Sequence, residues 1–512
     1  MAASDPEPSR HIEVARKFDV LDTTVSPSFD GISAVTRVQE SPPQSLDSVY
    51  FDTPGQDLAY KQVTLRRRNG GSDAGWHLKL PAGFDARTEM HAPLHTPEGG
   101  GDDTVPAELL EVVLAIVRDR PLAPVARIST IRDVRVLLGA DGVTQAEFCS
   151  DEVTAWAAHA SSDQDGAAVG EQHWREWELK LADGSADNTA LLDQLTNRLL
   201  DAGAVRAGHS SKLARVLNTA RDGAGERRPR PEDPARRAVA EQVDQLLAWD
   251  RGVRADTDDA VHQMRVTTRK IRSLLATWDE SFGHAGEWIG DELRQLASVL
   301  GVSRDAEVLA ARYRRALDEL PPELVRGRVR ERLVDGATRR YQIGLRRSLV
   351  AMRLPRYFRL LDALDALVAE RPPADDARGQ RAPATFKAPY ARVRKAAKAA
   401  ARLGSDATDD DRDQALHRIR KGAKRLRYAA AATGKDKVAE RAKTIQAVLG
   451  EHQDSVVSRT HLGQQADAAH AAGEDTFTYG LLYQREDDEG RSCRAQLDAA
   501  LRKLEKAMRK ER

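Results

Sequence analysis

Two segments of the sequence repeat one pattern of ionisable residues. VHQMRVTTRKIRSLL carries His262, Arg265, Arg269 and Arg272, and LHRIRKGAKRLRYAA carries His417, Arg420, Lys424 and Arg427. Both read H-x-x-R-x-x-x-[RK]-x-x-R. At about 100° per residue the four positions fall in a stripe about 80° wide and about 15 Å long on one helix face. Such a ladder suits phosphate oxygens, because guanidinium and ammonium groups make charge-assisted hydrogen bonds to them and imidazole beside phosphate gains proton affinity. A flexible polyanion lying along it would release counterions and gain affinity from that release.

A second set of charges has the period of a strand. Glu13, Ala15 and Lys17 share one side of the first, Arg66 and Arg68 alternate with Leu65 and Arg67, and His77 and Lys79 oppose Trp76, Leu78 and Leu80. In WREWELKL, Glu176, Glu178 and Lys180 oppose Trp177, Leu179 and Leu181. One such strand fits an open sheet with a wet face, whereas four that all place charge on one side favour a shared lumen inside a barrel. Arg and Lys there would grip phosphate oxygens, and paired carboxylates would hold a bridging divalent cation.

These residues need two kinds of scaffold. Residues from about Ile12 to Leu217 read as short alternating strands broken by Gly, Pro and Asp. The proline-rich ERRPRPEDPARR has too many prolines for a helix interior and reads as a linker, followed by long Ala/Leu/Arg segments with helical period. A loop around Arg371–Pro383 divides this helical part in two. A second element also repeats: VLGVSRDAEV, with Leu300, Gly301 and Asp305, matches VLGEHQDSVV, with Leu449, Gly450 and Asp454. Two elements repeated in one order indicate duplication, and Asp305 and Asp454 are expected to orient the arginine ladders. The fold expected is α+β multidomain: an N-terminal antiparallel β-barrel tunnel with flanking helices over 10–219, a linker over 220–237, and an all-α duplicated bundle over 238–512, with copies at about 238–370 and 384–512.

Composition agrees with that division. The chain has 512 residues, 41% of them hydrophobic and 31% charged, which fits two or three folded domains with charged surfaces. Its formal net charge is zero, yet from Pro231 onward 54 Lys and Arg face 44 Asp and Glu, against 25 and 35 before it. The basic half points to a polyanionic partner. No run approaches the roughly 20 apolar residues of a membrane span and the N-terminus lacks a signal-peptide core, so a cytoplasmic location is expected. Cys149 and Cys493 have no metal or redox spacing and read as buried small residues.

The strand-rich part resembles the CYTH fold of triphosphate-tunnel enzymes, on E-x-A-x-K at Glu13 to Lys17, SVYFDTP, LRRR, GWHLKLP, ARISTIR, AEFCSDEVTAW, WREWELKL and SSKLARVL. The resemblance implies triphosphate binding by Arg66, Arg68, Lys79, Arg127, Arg132 and Lys212. It implies Mg²⁺ or Mn²⁺ held by Glu13, Glu176 and Glu178, and catalysis served by Lys17, Glu13 and Glu178. Two departures remove negative charge: Ala15 stands for the second glutamate of the first-strand motif, and Lys180 for the third carboxylate of the last. They imply weak or absent hydrolysis with anion binding retained.

The helical part resembles CHAD, on the two ladders, LGVSRDAEV and LGEHQDSVV. That resemblance implies inorganic polyphosphate as partner, bound by the eight ladder residues, and a place on polyphosphate granules. The alternative is a metal-dependent triphosphatase whose helical half recruits substrate. A nucleic-acid binder would need stacking aromatics, which the ladders lack beyond Tyr428.

Overall fold

The structure is a computed structural model that describes residues 9–83, 85–94, 104–157, 171–182, 188–217, 231, 233–370, 387–404, 406–432 and 434–511. Most of the expected linker and the expected loop at 371–383 lie outside the described residues. By compactness the chain forms two units, Met1–Ser298 with Ser348–Glu370, and Val299–Arg347 with Arg371–Arg512.

The first unit is built on strands β1 (Ser9–Val20), β2 (Arg37–Glu40), β3 (Gln44–Asp52), β4 (Thr64–Asn69), β5 (Gly75–Pro81), β6 (Ala86–Ala92), β7 (Ala123–Leu138), β8 (Thr144–Ala157), β9 (Gln172–Leu181) and β10 (Val205–Arg206). Their order is β10-β1-β6-β5-β4-β3-β7-β8-β9, and β1 also pairs β9, so eight antiparallel strands close into a barrel with β2 and β10 added at its rim.

Closure with charged residues inside turns the barrel's apolar side outward, where helices must cover it. Helices α1 (Asp57–Tyr60), α2 (Ala107–Val117), α3 (Thr189–Asp201) and α4 (Lys212–Val216) belong to this unit. One apolar layer joins Phe18, Phe148, Trp177 and Leu179 of the strands to Leu191, Leu195 and Leu199 of α3. Another joins Leu65, Trp76 and Leu78 to Leu109, Val113 and Ile116 of α2. Asn188 caps α3 by accepting from the Leu191 N–H, and Ser211 caps α4 by accepting from Ala214.

Helices continue with α5 (Pro234–Arg254), α6 (Ala260–Thr277) and α7 (Asp279–Asp318), then α8 (Gly336–Ala351) and α9 (Pro355–Ala369). Helices α5 and α9 pack into the barrel's unit. Arg118 at the end of α2 pairs with Asp362 and Asp365 of α9, and Arg254 of α5 bonds Asp250 at 2.6 Å and Glu111 of α2 at 3.0 Å. In the second unit α10 (Lys387–Ala400), α11 (Asp409–Ala432), α12 (Asp436–Ala471) and α13 (Phe477–Lys510) enclose Val393, Ile419, Leu426, Ile445, Leu449 and Leu504. Among the described residues no helix is long and apolar enough to cross a membrane.

Phe148 is 1% exposed between Phe29 and Trp177, with ring centroids at 5.2 and 5.5 Å. Phe148→Ala is expected to cost the barrel about 3–5 kcal/mol, read as a lower denaturant midpoint when unfolding is followed by tryptophan fluorescence.

Candidate functional site

The barrel encloses a cavity of about 610 Å³, within the usual range for small-ligand sites. Alternation along each strand fills it with charge. Glu13, Ala15 and Lys17 line it from β1, Arg66 and Arg68 from β4, Lys79 from β5, Arg87 from β6, Arg132 from β7, Glu178 and Lys180 from β9, and Lys212 from the start of α4. Ten Lys or Arg side chains line it against three Asp or Glu, and although Glu89, Asp151 and Glu176 pair with some of these cations from outside the lining, positive groups outnumber negative ones.

Register sets the pairing inside. Lys17 lies opposite Glu178 and donates to it at 2.5 Å; Ala15 lies opposite Lys180. Lys79 holds both oxygens of Glu13 at 2.7 and 2.8 Å, and the Lys180 ammonium stands 3.6 Å from Glu13 and 4.0 Å from Glu178. Arg132 grips Asp151 with two bonds of 2.7 Å and reaches Glu178 at 3.0 Å. Lys212 bridges Asp151 at 2.8 Å and Glu176 at 2.7 Å.

These contacts fix the charge states. Burial works to protonate Glu178, but Lys17, Lys180 and Arg132 overcome it and hold the carboxyl well below the usual range. Glu13 is likewise lowered, with Lys79 and Lys180 outweighing burial. For Lys180 the balance runs the other way: burial disfavours its charge, yet Glu178 and Glu13 raise its pKa. Lys79 ends below its ordinary value because burial exceeds what Glu13 and Glu89 return.

The arginines of β4 are the least satisfied. Arg66 donates to the Tyr50 hydroxyl at 3.3 Å and its buried Nε has no acceptor among the described residues. Arg68 donates to Asp73 at 2.6 Å, its Nε also lacks an acceptor, and burial followed by repulsion from Arg66 lowers its pKa. Buried donors without acceptors, clustered with like charge, are what an anionic oxygen would relieve.

Two expectations need correction. Arg127 does not enter the tunnel: its side chain is 63% exposed and pairs with Asp47 outside the barrel. The reason was legible, since Arg127 and Arg132 are five residues apart and a strand of period two sends them to opposite faces. Glu176 does not join Glu13 and Glu178 at the cavity; Lys212 and the Trp174 indole N–H, at 2.8 Å, take its oxygens. Among the described residues no three His, Cys, Asp or Glu side chains gather as a metal site. Sequence reading also passed over β6, where Arg87, Glu89 and His91 alternate with Thr88 and Met90. Glu89 bonds His77 at 2.9 Å and Lys79 at 3.1 Å, and despite burial His77, Lys79 and Arg66 hold it strongly ionised.

The two ladders lie on helices as expected. His262, Arg265, Arg269 and Arg272 are half-buried along α6, beside the buried Val261, Met264, Thr268 and Ile271. On α11 His417, Arg420, Lys424 and Arg427 are half-buried beside Ala415, Ile419, Ala423 and Leu426. Within the second unit Arg420 acts on Asp454 of the repeated element, and Arg427 donates to Gln446 at 3.3 Å. Asp454 is raised chiefly by burial and then by Glu451, and it also senses Asp305, its counterpart in the other copy. Burial and then Lys421 and Arg420 lower the pKa of His417.

A closed antiparallel barrel with a cationic interior, followed by a helical region, defines a triphosphate-tunnel protein with an appended α-domain. The CYTH domain family matches residues 11–190 and the CHAD domain family residues 237–463, and the chain belongs to the CYTH–CHAD proteins. It is 66% identical over 519 aligned residues to Uncharacterized protein Rv2226 of Mycobacterium tuberculosis strain ATCC 25618 / H37Rv, covering 100% of both chains. Among solved structures, PptA from Streptomyces chartreusis is 20% identical with a TM-score of 0.44, covering 52% of this chain and 98% of its own. The CHAD domain from the plant Ricinus communis is 22% identical with a TM-score of 0.38, covering 53% and 90%.

The buried carboxylates make the barrel acid-sensitive. Asp151 and Glu178 are lowered from ordinary values of 3.8 and 4.5, so the unfolded chain binds more protons and their stabilisation is present above that range. It is lost as the pH falls through the lowered values. The melting temperature is expected to drop steeply below about pH 4. Asp151→Asn, which leaves Arg132 and Lys212 short of charge, should melt lower at pH 7 and show a flatter acid decline.

Proposed function

We propose that this chain binds inorganic polyphosphate and triphosphate-type anions, and that its barrel is an anion tunnel whose metal site is degraded. The excess of cations around one cavity, ten Lys or Arg lining it against three carboxylates in the lining and the paired Glu89, Asp151 and Glu176 outside it, carries this reading. Donors on several walls suit a short linear anion with oxygens on every side. Arg66 and Arg68, whose buried Nε atoms lack acceptors among the described residues, are its first contacts, with Lys79, Arg132 and Lys212 supporting.

The residues present do not fit a carboxylate-held Mg²⁺ or Mn²⁺. Glu13 is taken up by Lys79 and Glu178 by Lys17 and Arg132, and an ammonium stands within 4.0 Å of both. A hard dication needs several free oxygens, and a fixed cation between two of them repels it. In this reading Lys17, Glu13 and Glu178 organise the lumen's charge. The helical half takes longer chains: two ladders of half-buried Arg, Lys and His follow a phosphate backbone without reading bases. Cytoplasmic polyphosphate granules are the place that this function implies.

The test pairs binding with hydrolysis in the intact protein. Tripolyphosphate and long-chain polyphosphate are expected to bind without phosphate release in Mg²⁺ or Mn²⁺. Arg66→Ala should weaken tripolyphosphate binding about ten- to a hundredfold, the value of a charged hydrogen-bond pair. Arg265→Ala/Arg420→Ala, with unchanged circular dichroism, should abolish long-chain binding. Metal-dependent release lost in Lys17→Ala would instead make the chain a triphosphatase, with Glu13 and Glu178 sufficient for the ion.

Binding should also take up protons. His417 is held below 6.5 by burial, Lys421 and Arg420, and a bound polyanion would raise it, so affinity should rise as the pH falls from 8 to about 6. Calorimetry in buffers of different ionisation enthalpy should show that uptake, reduced in His417→Gln.

A further inference from the structure

Ala15 and Lys180 are one change rather than two. The antiparallel register of β1 and β9 sets them directly opposite each other, two residue pairs along from Lys17 and Glu178 and on the same face. On one lumen face the methyl of Ala15 leaves room across the strands, and the Lys180 side chain, 21% exposed, extends its ammonium to 3.6 Å from Glu13 and 4.0 Å from Glu178. At those separations it attracts both carboxylates and is hydrogen-bonded to neither. Lys79 holds Glu13 at 2.7 Å from one side and Lys17 holds Glu178 at 2.5 Å from the other. Charges therefore alternate along the tunnel: Lys79, Glu13, Lys180, Glu178, Lys17.

Holding two carboxylates together while presenting positive charge to the lumen is the work a divalent cation would do between the same residues. We infer that Lys180 is a tethered substitute for that cation, and that the tunnel takes a polyphosphoryl ligand as the metal-free anion. The inference rests on the tunnel reading above. Its chemistry follows from charge: a pair of carboxylates cancels a bound dication, whereas alanine and lysine leave one positive charge. A ligand that arrives with Mg²⁺ brings a further dication into a lumen already rich in cations, so complexation should lower its affinity. Lys180 has the means to serve such a ligand, because an ammonium with no hydrogen bond among the described residues keeps its donors for phosphoryl oxygens.

Isothermal titration of the intact protein with tripolyphosphate, in EDTA and in excess Mg²⁺, tests this. The wild-type chain is expected to bind in EDTA and more weakly when Mg²⁺ saturates the ligand. Lys180→Ala should lose roughly tenfold or more of the affinity measured in EDTA. The two neighbouring carboxylates keep Lys79, Lys17 and Arg132 in that variant, and a melting curve checks its fold. Wild-type binding that requires Mg²⁺ or Mn²⁺, or unchanged affinity in folded Lys180→Ala, would overturn the tethered cation and leave the tunnel reading standing. Absence of binding in both conditions would overturn both.

Discussion

Everything in the barrel depends on charge buried in its interior. Taking a guanidinium or ammonium from water into protein is expensive unless carboxylates and hydrogen bonds stand in for the lost solvent. Here they do so unevenly. Arg132 and Lys212 share the fully buried Asp151 and reach Glu178 and Glu176 besides, so the charges of that wall are paired. On β4, Arg66 and Arg68 are buried with few acceptors. The unevenness divides the lumen into a braced part and a part whose donors are left unsatisfied among the described residues.

The same burial dictates the rest of the fold. A strand that spends Arg, Lys and Glu inward must spend Leu, Phe and Trp outward, so an isolated barrel would expose its apolar face. Helices α2 and α3 cover that face with Leu109, Val113, Leu191 and Leu195. Once α2 is committed to the barrel, its own outer side needs partners. Glu111 meets Arg254 of α5 and Arg353, and Arg118 meets α9. The first helices after the expected linker are thereby drawn into the barrel's unit, although the helical texture of the sequence suggested a clean break there.

How much of this could be read in advance follows from period. Charge alternation announced the lumen faces of β1, β4, β5 and β9, and four residues at helical spacing announced each ladder, because both signals are local. Arg127 was assigned through the family resemblance of ARISTIR, which set aside the strand parity that separates it from Arg132. Glu89 was missed although ARTEMHA alternates, since flanking apolar residues are few. The diversion of Glu176 to Lys212 was not legible: Lys212 lies 36 positions later in the numbering, and only the fold brings the two to 2.7 Å. Nor could the sequence say that Ala15 faces Lys180, because register is set by closure of the whole sheet.

Which polyanion suits such a lumen is decided by what else lines it. Nucleotide recognition needs a flat apolar or aromatic wall for the base, since stacking supplies roughly 1–3 kcal/mol per base. Among the described residues the cavity is lined by the tyrosines Tyr50 and Tyr60, and the Tyr50 hydroxyl is already bonded to Arg66. Burial raises the affinity of that phenol for its proton, while the charge of Arg66 pulls it down, so Tyr50 acts as a polar partner of the guanidinium. A base entering there would offer only a few in-plane neutral acceptors to the ammonium and guanidinium groups, whereas each phosphoryl unit offers charged oxygens. On the proposed reading a bare phosphoryl chain would meet donors along its length, and desolvation set against pairing would favour the inorganic anion.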